Sequence, residues 1–276
     1  MTIQTALVQG TKLLEDGVVS APRLTAEVLL SHALHKERVF LYSHPEEELA
    51  EVAWLHYGRY LHQRLQGKPT QYITKRQEFY GREFRVTPDV LIPRPETELV
   101  VEFALGFVKA GARVVDVGCG SGAIAVTVAL ERRCEVIASD ISWGALRVAR
   151  ENAGRLGAAV QFVHTDLLLG LRKGSIDVII SNPPYVPERD ADGLQREVRD
   201  FEPHLALFGG LEGNEIYERL IAQAEKTLRP GGTLVVELGY RSLDSVRAML
   251  GSRWQDVTVS DDLAGIPRAL AARWSL

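Results

Sequence analysis

A chain of 276 residues has room for about two domains, and a composition 46% hydrophobic and 25% charged is globular, not disordered or fibrous. A formal net charge of −4 disfavours a protein whose main task is gripping nucleic-acid phosphates, so no direct nucleic-acid binding is expected. No apolar run reaches the roughly 18–20 residues of a membrane helix. The stretch from Met1 to Gly17 lacks the basic-then-apolar pattern of a secretory signal, and Cys119 and Cys134 are too few for a disulfide framework, so no membrane association and a reduced, cytoplasmic location are expected.

Residues 1–75 read as a helical domain. Ile3, Ala6, Leu7, Gly10, Leu13 and Leu14 recur with helical period, and Pro22 suits the first turn of a second helix carrying Leu24, Val28, Leu29, Ala33 and Leu34. A third helix is predicted from Pro45, with Glu46, Glu47 and Glu48 at the end the helix dipole favours, running past Trp54, Leu55, Leu61 and Leu65 to Gly67 and Pro69. Five of the seven histidines (His32, His35, His44, His56 and His62) fall here without a ligand spacing such as H-E-x-x-H, so they read as helix-surface residues and no metal is expected. The charges of this stretch cancel and form no basic stripe, which suits a docking or lid module.

Residues 76–95 change character and read as a hairpin and linker. Glu78-Phe79-Tyr80 and Glu83-Phe84-Arg85-Val86 flank Gly81 as a short hairpin. Pro93 and Pro95 keep Ile92 and Arg94 extended before Thr97 and its acidic neighbours open a helix through Val100, Val101, Phe103, Ala104 and Val108. The rigid Pro-Arg-Pro segment is either a cover over a pocket or a plain connector.

Residues 96–276 read as the second domain, and from residue 113 onward strands alternate with helices. Strands are predicted at 113–117, 135–139, 160–164, 175–181, 233–238, 255–259 and 270–274, with helices at 122–131, 142–156, 216–228 and 242–250. Runs such as Ile176-Asp177-Val178-Ile179-Ile180 suit strands buried on both faces. The pattern specifies an α/β fold, a doubly wound seven-stranded sheet whose ligands sit at the carboxyl ends of the strands.

Two motifs fall at such ends. Asp116-Val117-Gly118-Cys119-Gly120-Ser121-Gly122 leaves the first strand and enters a helix, with the spacing G-x-G-x-G rather than the G-x-G-x-x-G of dinucleotide folds. Asp140 ends the second strand, where a carboxylate can accept from both hydroxyls of a ribose or simply cap the helix that starts near Ser142. Asp166, after the third strand, lies with Leu167 where an adenine edge can be read, or is a turn acid. Ser181-Asn182-Pro183-Pro184-Tyr185 follows the fourth strand. Its prolines free carbonyls from the ladder, Asn182 adds an acceptor suited to an NH₂ group, and Tyr185 offers a flat face for a planar substrate.

These features together resemble the S-adenosylmethionine-dependent methyltransferases that modify amino nitrogens. The residues 93–98 (Pro-Arg-Pro-Glu-Thr-Glu), Glu202-Pro203, Ala206-Leu207, Gly209-Gly210 and Asp262-Leu263-Ala264-Gly265 with Arg268 narrow the resemblance to the HemK/PrmC family, over nearly the whole chain. The resemblance implies a Rossmann-like methyltransferase sheet behind a small all-helical N-terminal domain. It implies methylation of the side-chain amide of the glutamine in the Gly-Gly-Gln motif of class I peptide chain release factors, a step in translation termination. It further implies that Gly118, Cys119, Gly120, Ser121 and Gly122 wrap the methionine part of the cofactor and that Asp140 holds the ribose. Asp166 and Leu167 would flank the adenine. Asn182 would touch cofactor and substrate, and Asn182, Pro183, Pro184 and Tyr185 would hold the glutamine amide, with Asn182, Pro183 and Tyr185 as the catalytic set. Some members have tryptophan where this chain has Leu167, so aromatic stacking on adenine would have to come from elsewhere. A monomer is expected.

Three other functions fit less well. An adenine-N6 methyltransferase would present the same kind of NH₂ group, but net charge and the neutral N-terminal module oppose it. A dinucleotide-dependent oxidoreductase conflicts with the glycine spacing, and a non-catalytic nucleoside-binding protein leaves Asn182 to Tyr185 without a purpose.

Overall fold

The structure, a computed structural model, describes residues 1–275. Helices α1 (Ile3–Asp16), α2 (Pro22–Leu34), α3 (Arg38–Ser43), α4 (Glu51–Leu65) and α5 (Thr70–Thr74) open the chain. A hairpin of β1 (Arg76–Phe79) and β2 (Arg82–Arg85) leads to α6 (Pro95–Leu105). The alternating part follows as β3 (Arg113–Val117), α7 (Ala123–Glu131), β4 (Glu135–Asp140), α8 (Trp143–Leu156), β5 (Val160–His164) and β6 (Ile176–Ser181). Short helices α9 (Arg196–Phe201) and α10 (His204–Leu207) precede α11 (Glu215–Thr227), β7 (Leu228–Glu237), α12 (Leu243–Ala248), β8 (Trp254–Asp261) and β9 (Pro267–Trp274). No helix among the described residues is long and apolar enough to cross a membrane.

Two compact units divide the chain. The first comprises Met1–Arg76 with Gln195–Phe201, the second Gln77–Leu194 with the chain from Glu202 onward. In the first, Ile3, Leu7, Leu14, Leu29, Leu30 and Tyr57 form a core sealed from solvent. The helix expected from Pro45 does not start there. The carbonyls of Pro45 and Glu47 accept from Gln4 N–H and Ile3 N–H, each at 2.9 Å, and Leu49 N–H returns a bond to Met1. Those donors belong to the first turn of α1, which has no partners of its own for them. Segment 45–49 is therefore drawn out across the end of α1, and α4 begins only at Glu51. Helix α9, for which the sequence gives no expectation, belongs to the first unit, where Glu197 pairs with the buried Arg64 at 2.8 Å.

In the second unit the hairpin is no linker. Phe79, Phe84, Val86, Val90 and Ile92 are buried, and Phe79 and Phe84 join Val100 and Val101 of α6 in the core. The seven-stranded sheet has the order β5-β4-β3-β6-β7-β9-β8, parallel from β5 through β7 and antiparallel at β9. Neighbouring residues of a strand face opposite sides, and both sides are covered. Val114, Val178 and Ile180 pack with α6, α7 and α8, whereas Val115, Ile179 and Leu234 pack with α11 and α12.

Asn152 of α8 links three segments from full burial. Its Oδ1 accepts from Arg85 N–H at 2.8 Å, and its Nδ2 donates to the carbonyls of Arg85 and Ser121, each at 2.9 Å. Asn152→Ala strands the part-buried Arg85 N–H, its carbonyl and the buried Ser121 carbonyl, so urea denaturation should show a loss on the order of 3 kcal/mol. A loss below about 1 kcal/mol would mean that water replaces these bonds without penalty.

Candidate active site

Strands β3 and β4 end side by side, and the glycine loop crosses between them. Gly118 and Cys119 donate N–H to the Ser139 carbonyl at 2.8 and 3.0 Å, which fixes the start of the loop. Gly118, Gly120 and Gly122 all have positive φ, at 70°, 52° and 80°, where a side chain is strained. A Cβ on Gly118 or Gly120 meets no atom within 4 Å. Gly122 differs. It caps α7, and a Cβ there would stand 3.0 Å from Ala149 of α8. A cavity of about 200 Å³ opens beside the loop, and Gly118, Cys119, Gly120 and Ser121 line it, but Gly122 does not. Its glycine serves helix packing.

Asp140 ends β4 on the cavity wall. Its Oδ2 accepts from Gly120 N–H at 2.9 Å and its Oδ1 from Ser142 N–H at 2.8 Å, so one carboxylate holds both the loop and the residue that caps α8. A carboxylate offers about four acceptor sites, so acceptor capacity remains beyond these bonds. Burial raises its pKa against these bonds. One strand over, Asp116 is wholly buried. Its Oδ2 accepts from Ala125 N–H at 2.9 Å, and its Oδ1 has no partner. Burial, with the Asp140 charge adding to it, pushes the Asp116 pKa up to about 7. Burial and these same two carboxylates raise the Cys119 thiol well above its usual range, which keeps it protonated.

Asp166 and Leu167 lie on the wall beyond β5. Asp166 pairs with Arg219 of α11, which also faces the cavity. Leu167 takes a left-handed φ of 55°, and the next N–H is held by Gln223 Oε1 at 2.9 Å. Among the described residues no aromatic side chain lines the cavity, and Ile141 and Leu167 supply apolar surface there.

At the end of β6 the extended chain presents alternate side chains. Asn182 and Pro184 face the cavity, whereas Pro183 is buried and the ring of Tyr185 packs where a Cβ on Gly239 would stand 2.7 Å from it. The four residues expected to grip one group therefore divide two and two. Asn182 Nδ2 donates to Thr97 Oγ1 at 3.2 Å, and Thr97 Oγ1 donates to Glu237 Oε2 at 2.7 Å. Burial pushes the Glu237 pKa up to about 7. Segment 207–213 braces this strand end: Val186 N–H donates to the Leu207 carbonyl and Gly209 N–H to the Val186 carbonyl. A Cβ on Gly209 would come within 2.6 Å of the Pro184 carbonyl, and one on Gly213 within 2.4 Å of the Tyr185 carbonyl, so only glycine fits at either position.

The Pro-Arg-Pro segment forms part of the wall, through Leu91, Pro93 and Arg94. Buried Glu202 holds it by pairing with Arg94 and accepting from Ile92 N–H at 3.2 Å. Neither Thr97, Glu237 nor Glu202 was singled out as a site residue from sequence. Thr97 and Glu202 fall in stretches that carry the family resemblance, whereas Glu237 falls only in the strand expected at 233–238.

Known proteins resemble this chain in sequence and in fold. The release factor glutamine methyltransferase of Koribacter versatilis is 46% identical over 277 residues, covering 99% of this chain and 99% of the relative. That of Nitratidesulfovibrio vulgaris is 42% identical, covering 100% of this chain and 96% of the relative. The chain belongs to the release factor glutamine methyltransferase family. A family model described as the PrmC N-terminal domain matches residues 5–74, and one described as a methyltransferase small domain matches residues 98–206. The crystal structure of a methyltransferase from Pyrococcus furiosus superposes with a TM-score of 0.55 at 19% identity, covering 75% of this chain and 94% of that one, a likeness of fold. The glycine loop, Asn182 and Thr97 thus stand in a methyltransferase of this family.

Asp116 gives this site a pH-dependent cost. A carboxyl whose folded pKa is raised from 3.8 to about 7 contributes its full stability below the ordinary carboxylate range and loses it as pH rises toward 7. Asp116→Asn keeps an acceptor for Ala125 and cannot ionise. Relative to the parent, its melting temperature should gain between pH 5 and pH 8. An equal difference at both pH values would show that burial does not raise the Asp116 pKa.

Proposed function

We propose that this protein transfers a methyl group from S-adenosylmethionine to the side-chain amide nitrogen of the glutamine in the Gly-Gly-Gln motif of class I peptide chain release factors. The observation that carries the reading is the placement of the Asn182 amide and the Asp140 carboxylate on one cavity wall in a chain of this family. The residues suit the cofactor. Gly118 and Gly120 leave space where any side chain would intrude, Asp140 retains acceptor capacity for two ribose hydroxyls, and Asp166, Ile141 and Leu167 offer a polar edge and apolar contacts for adenine. When bound, S-adenosylmethionine supplies the methyl group on a sulfonium.

An amide nitrogen is a weak nucleophile because its lone pair is delocalised, so positioning carries much of the rate. In this reading the Asn182 side-chain carbonyl and the Pro183 backbone carbonyl accept from the glutamine NH₂ and stabilise positive charge as it grows on that nitrogen. The lone thiol on the wall, Cys119, is held protonated, so no covalent enzyme intermediate is invoked. The methylated nitrogen sheds its proton to water. The helical unit carries none of these motifs and is assigned to the protein substrate. The adenine-N6 alternative is not favoured, since the full-length relatives are named for release factor glutamine.

The decisive experiment incubates the enzyme with labelled S-adenosylmethionine and purified release factor, then maps the label by peptide. Label on the Gly-Gly-Gln glutamine is expected, and label elsewhere or none would overturn the assignment. Asn182→Ala should lower turnover about 10²–10³-fold, by analogy with loss of one oriented polar group at an oxyanion hole. Turnover at the parental rate would reduce Asn182 to a strand terminator. Asp140→Ala should weaken cofactor binding about 10–100-fold in calorimetry, as expected for losing a charge-assisted hydrogen bond. Unchanged affinity in a folded variant would remove Asp140 from the site.

A further inference from the structure

The mechanism above needs the oxygen end of the Asn182 amide to face the substrate, yet an amide has two ends of nearly equal shape. The chain of bonds behind it decides between them. Asn182 Nδ2 lies 3.2 Å from Thr97 Oγ1, and Thr97 Oγ1 lies 2.7 Å from Glu237 Oε2. A hydroxyl has one proton to donate, and an ionised carboxylate can only accept. The Thr97 proton is thus committed to Glu237, so only an NH₂ group can satisfy Thr97 from the other side.

We propose that Thr97 and Glu237 are positioning residues that lock the Asn182 amide with its NH₂ turned into the protein and its carbonyl turned toward the substrate nitrogen. The proposal rests on the reading of Asn182 given under Proposed function. It deepens that reading by naming what sets the polarity of the contact. The relay is shielded, with Thr97 5% and Glu237 3% exposed, so water competes little for either bond. It also joins three places in the fold: the first turn of α6, the last residue of β7 and the residue after β6.

The direction of the relay depends on the charge of Glu237. When its carboxyl takes up a proton it can donate to Thr97, which releases the Thr97 hydroxyl to donate in turn. The Asn182 amide then loses its reason to keep the carbonyl outward, and in the flipped form two NH₂ groups oppose each other. Every charged group facing Glu237 bears on the pH of this change. Burial dominates and Glu96 of α6 adds to it, whereas Arg268 of β9 and Arg94 of the Pro-Arg-Pro segment oppose it, leaving the pKa at about 7. Tyr185 and Tyr217 also face it, but burial raises both hydroxyls, so they stay neutral across that range.

The test uses the full-length enzyme with release factor as substrate. Thr97→Val keeps the shape and removes the relay. Its kcat should fall about 10–100-fold while cofactor affinity in calorimetry and KM for release factor move less than about threefold. Thr97→Ser should restore most of the lost turnover. In the parent, kcat should fall on the acid side of about pH 7, and Glu237→Gln, which cannot titrate, should flatten that limb. Independently of activity, the side-chain NH₂ resonances of Asn182 should shift with a midpoint near 7 in the parent and not in Glu237→Gln. Parental turnover in Thr97→Val overturns the proposal. So does a loss of kcat, cofactor affinity and melting temperature together, since that marks a purely structural role. An acid limb or an NH₂ titration that persists in Glu237→Gln overturns it as well. If instead Asn182→Ala is as active as the parent, the Asn182 reading fails, and the NH₂ titration alone then decides whether the amide is locked.

Discussion

The site exists because parallel strands in one sheet must be joined by right-handed crossovers. From β3 the chain steps to β4 on one side, and α7 covers one face of the sheet. From β6 it steps to β7 on the other side, and α11 covers the opposite face. The connections leaving β3 and β6 therefore part company at adjacent strand ends. The opening between them is the crevice that a doubly wound sheet offers to a ligand. The glycine loop leaves from one lip and Asn182 from the other, so both line one cavity without either strand bending.

That crevice is walled by irregular chain, and irregular chain must find partners for its backbone. Buried carboxylates supply many of them here. Asp140 gathers the loop and the start of α8, Glu202 gathers Ile92 and Arg94, Glu237 anchors Thr97, and Asp116 holds the first turn of α7. Each oxygen that accepts from a segment removes one way for that segment to move. Burying ionisable groups costs stability unless they are paired or protonated, and the raised pKa values of Asp116 and Glu237 record that cost. The rigidity of the wall and the strain on its acids are the same fact.

What the sequence made legible were features whose meaning is local. A glycine run between strand and helix, an acid at the next strand end and Asn-Pro-Pro-Tyr after the fourth strand each state their position by their neighbours. The alternation of strands and helices placed them at one edge of the sheet. What stayed hidden depends on partners far apart in the chain. Thr97 and Glu237 are 140 residues apart, Ile92 and Glu202 are 110 apart, and no local pattern announces that either pair will meet. The helix expected at Pro45 failed for a similar reason, because the unpaired N–H groups of α1 claimed carbonyls that a local helix would have used. Motif membership places Tyr185 and Gly122 with the ligand, but it does not fix orientation, and neither lines the cavity. An extended chain turns alternate side chains away, and a capping glycine can answer to the neighbouring helix instead.

The placement of β9 between β7 and β8 has a consequence for the order in which the molecule is assembled. Strand β8 precedes β9 in the chain, yet its sole neighbour in the sheet is β9, so it has no berth until the later strand has docked. Without β9, β7 is an open edge of the sheet, where unpaired backbone can recruit foreign strands. Glu237 lies on that edge opposite Ala269 and becomes enclosed only when β9 arrives. The burial that raises its pKa thus depends on a strand from the far end of the chain, whereas the glycine loop and Asn182 sit at strand ends on the other side of β7.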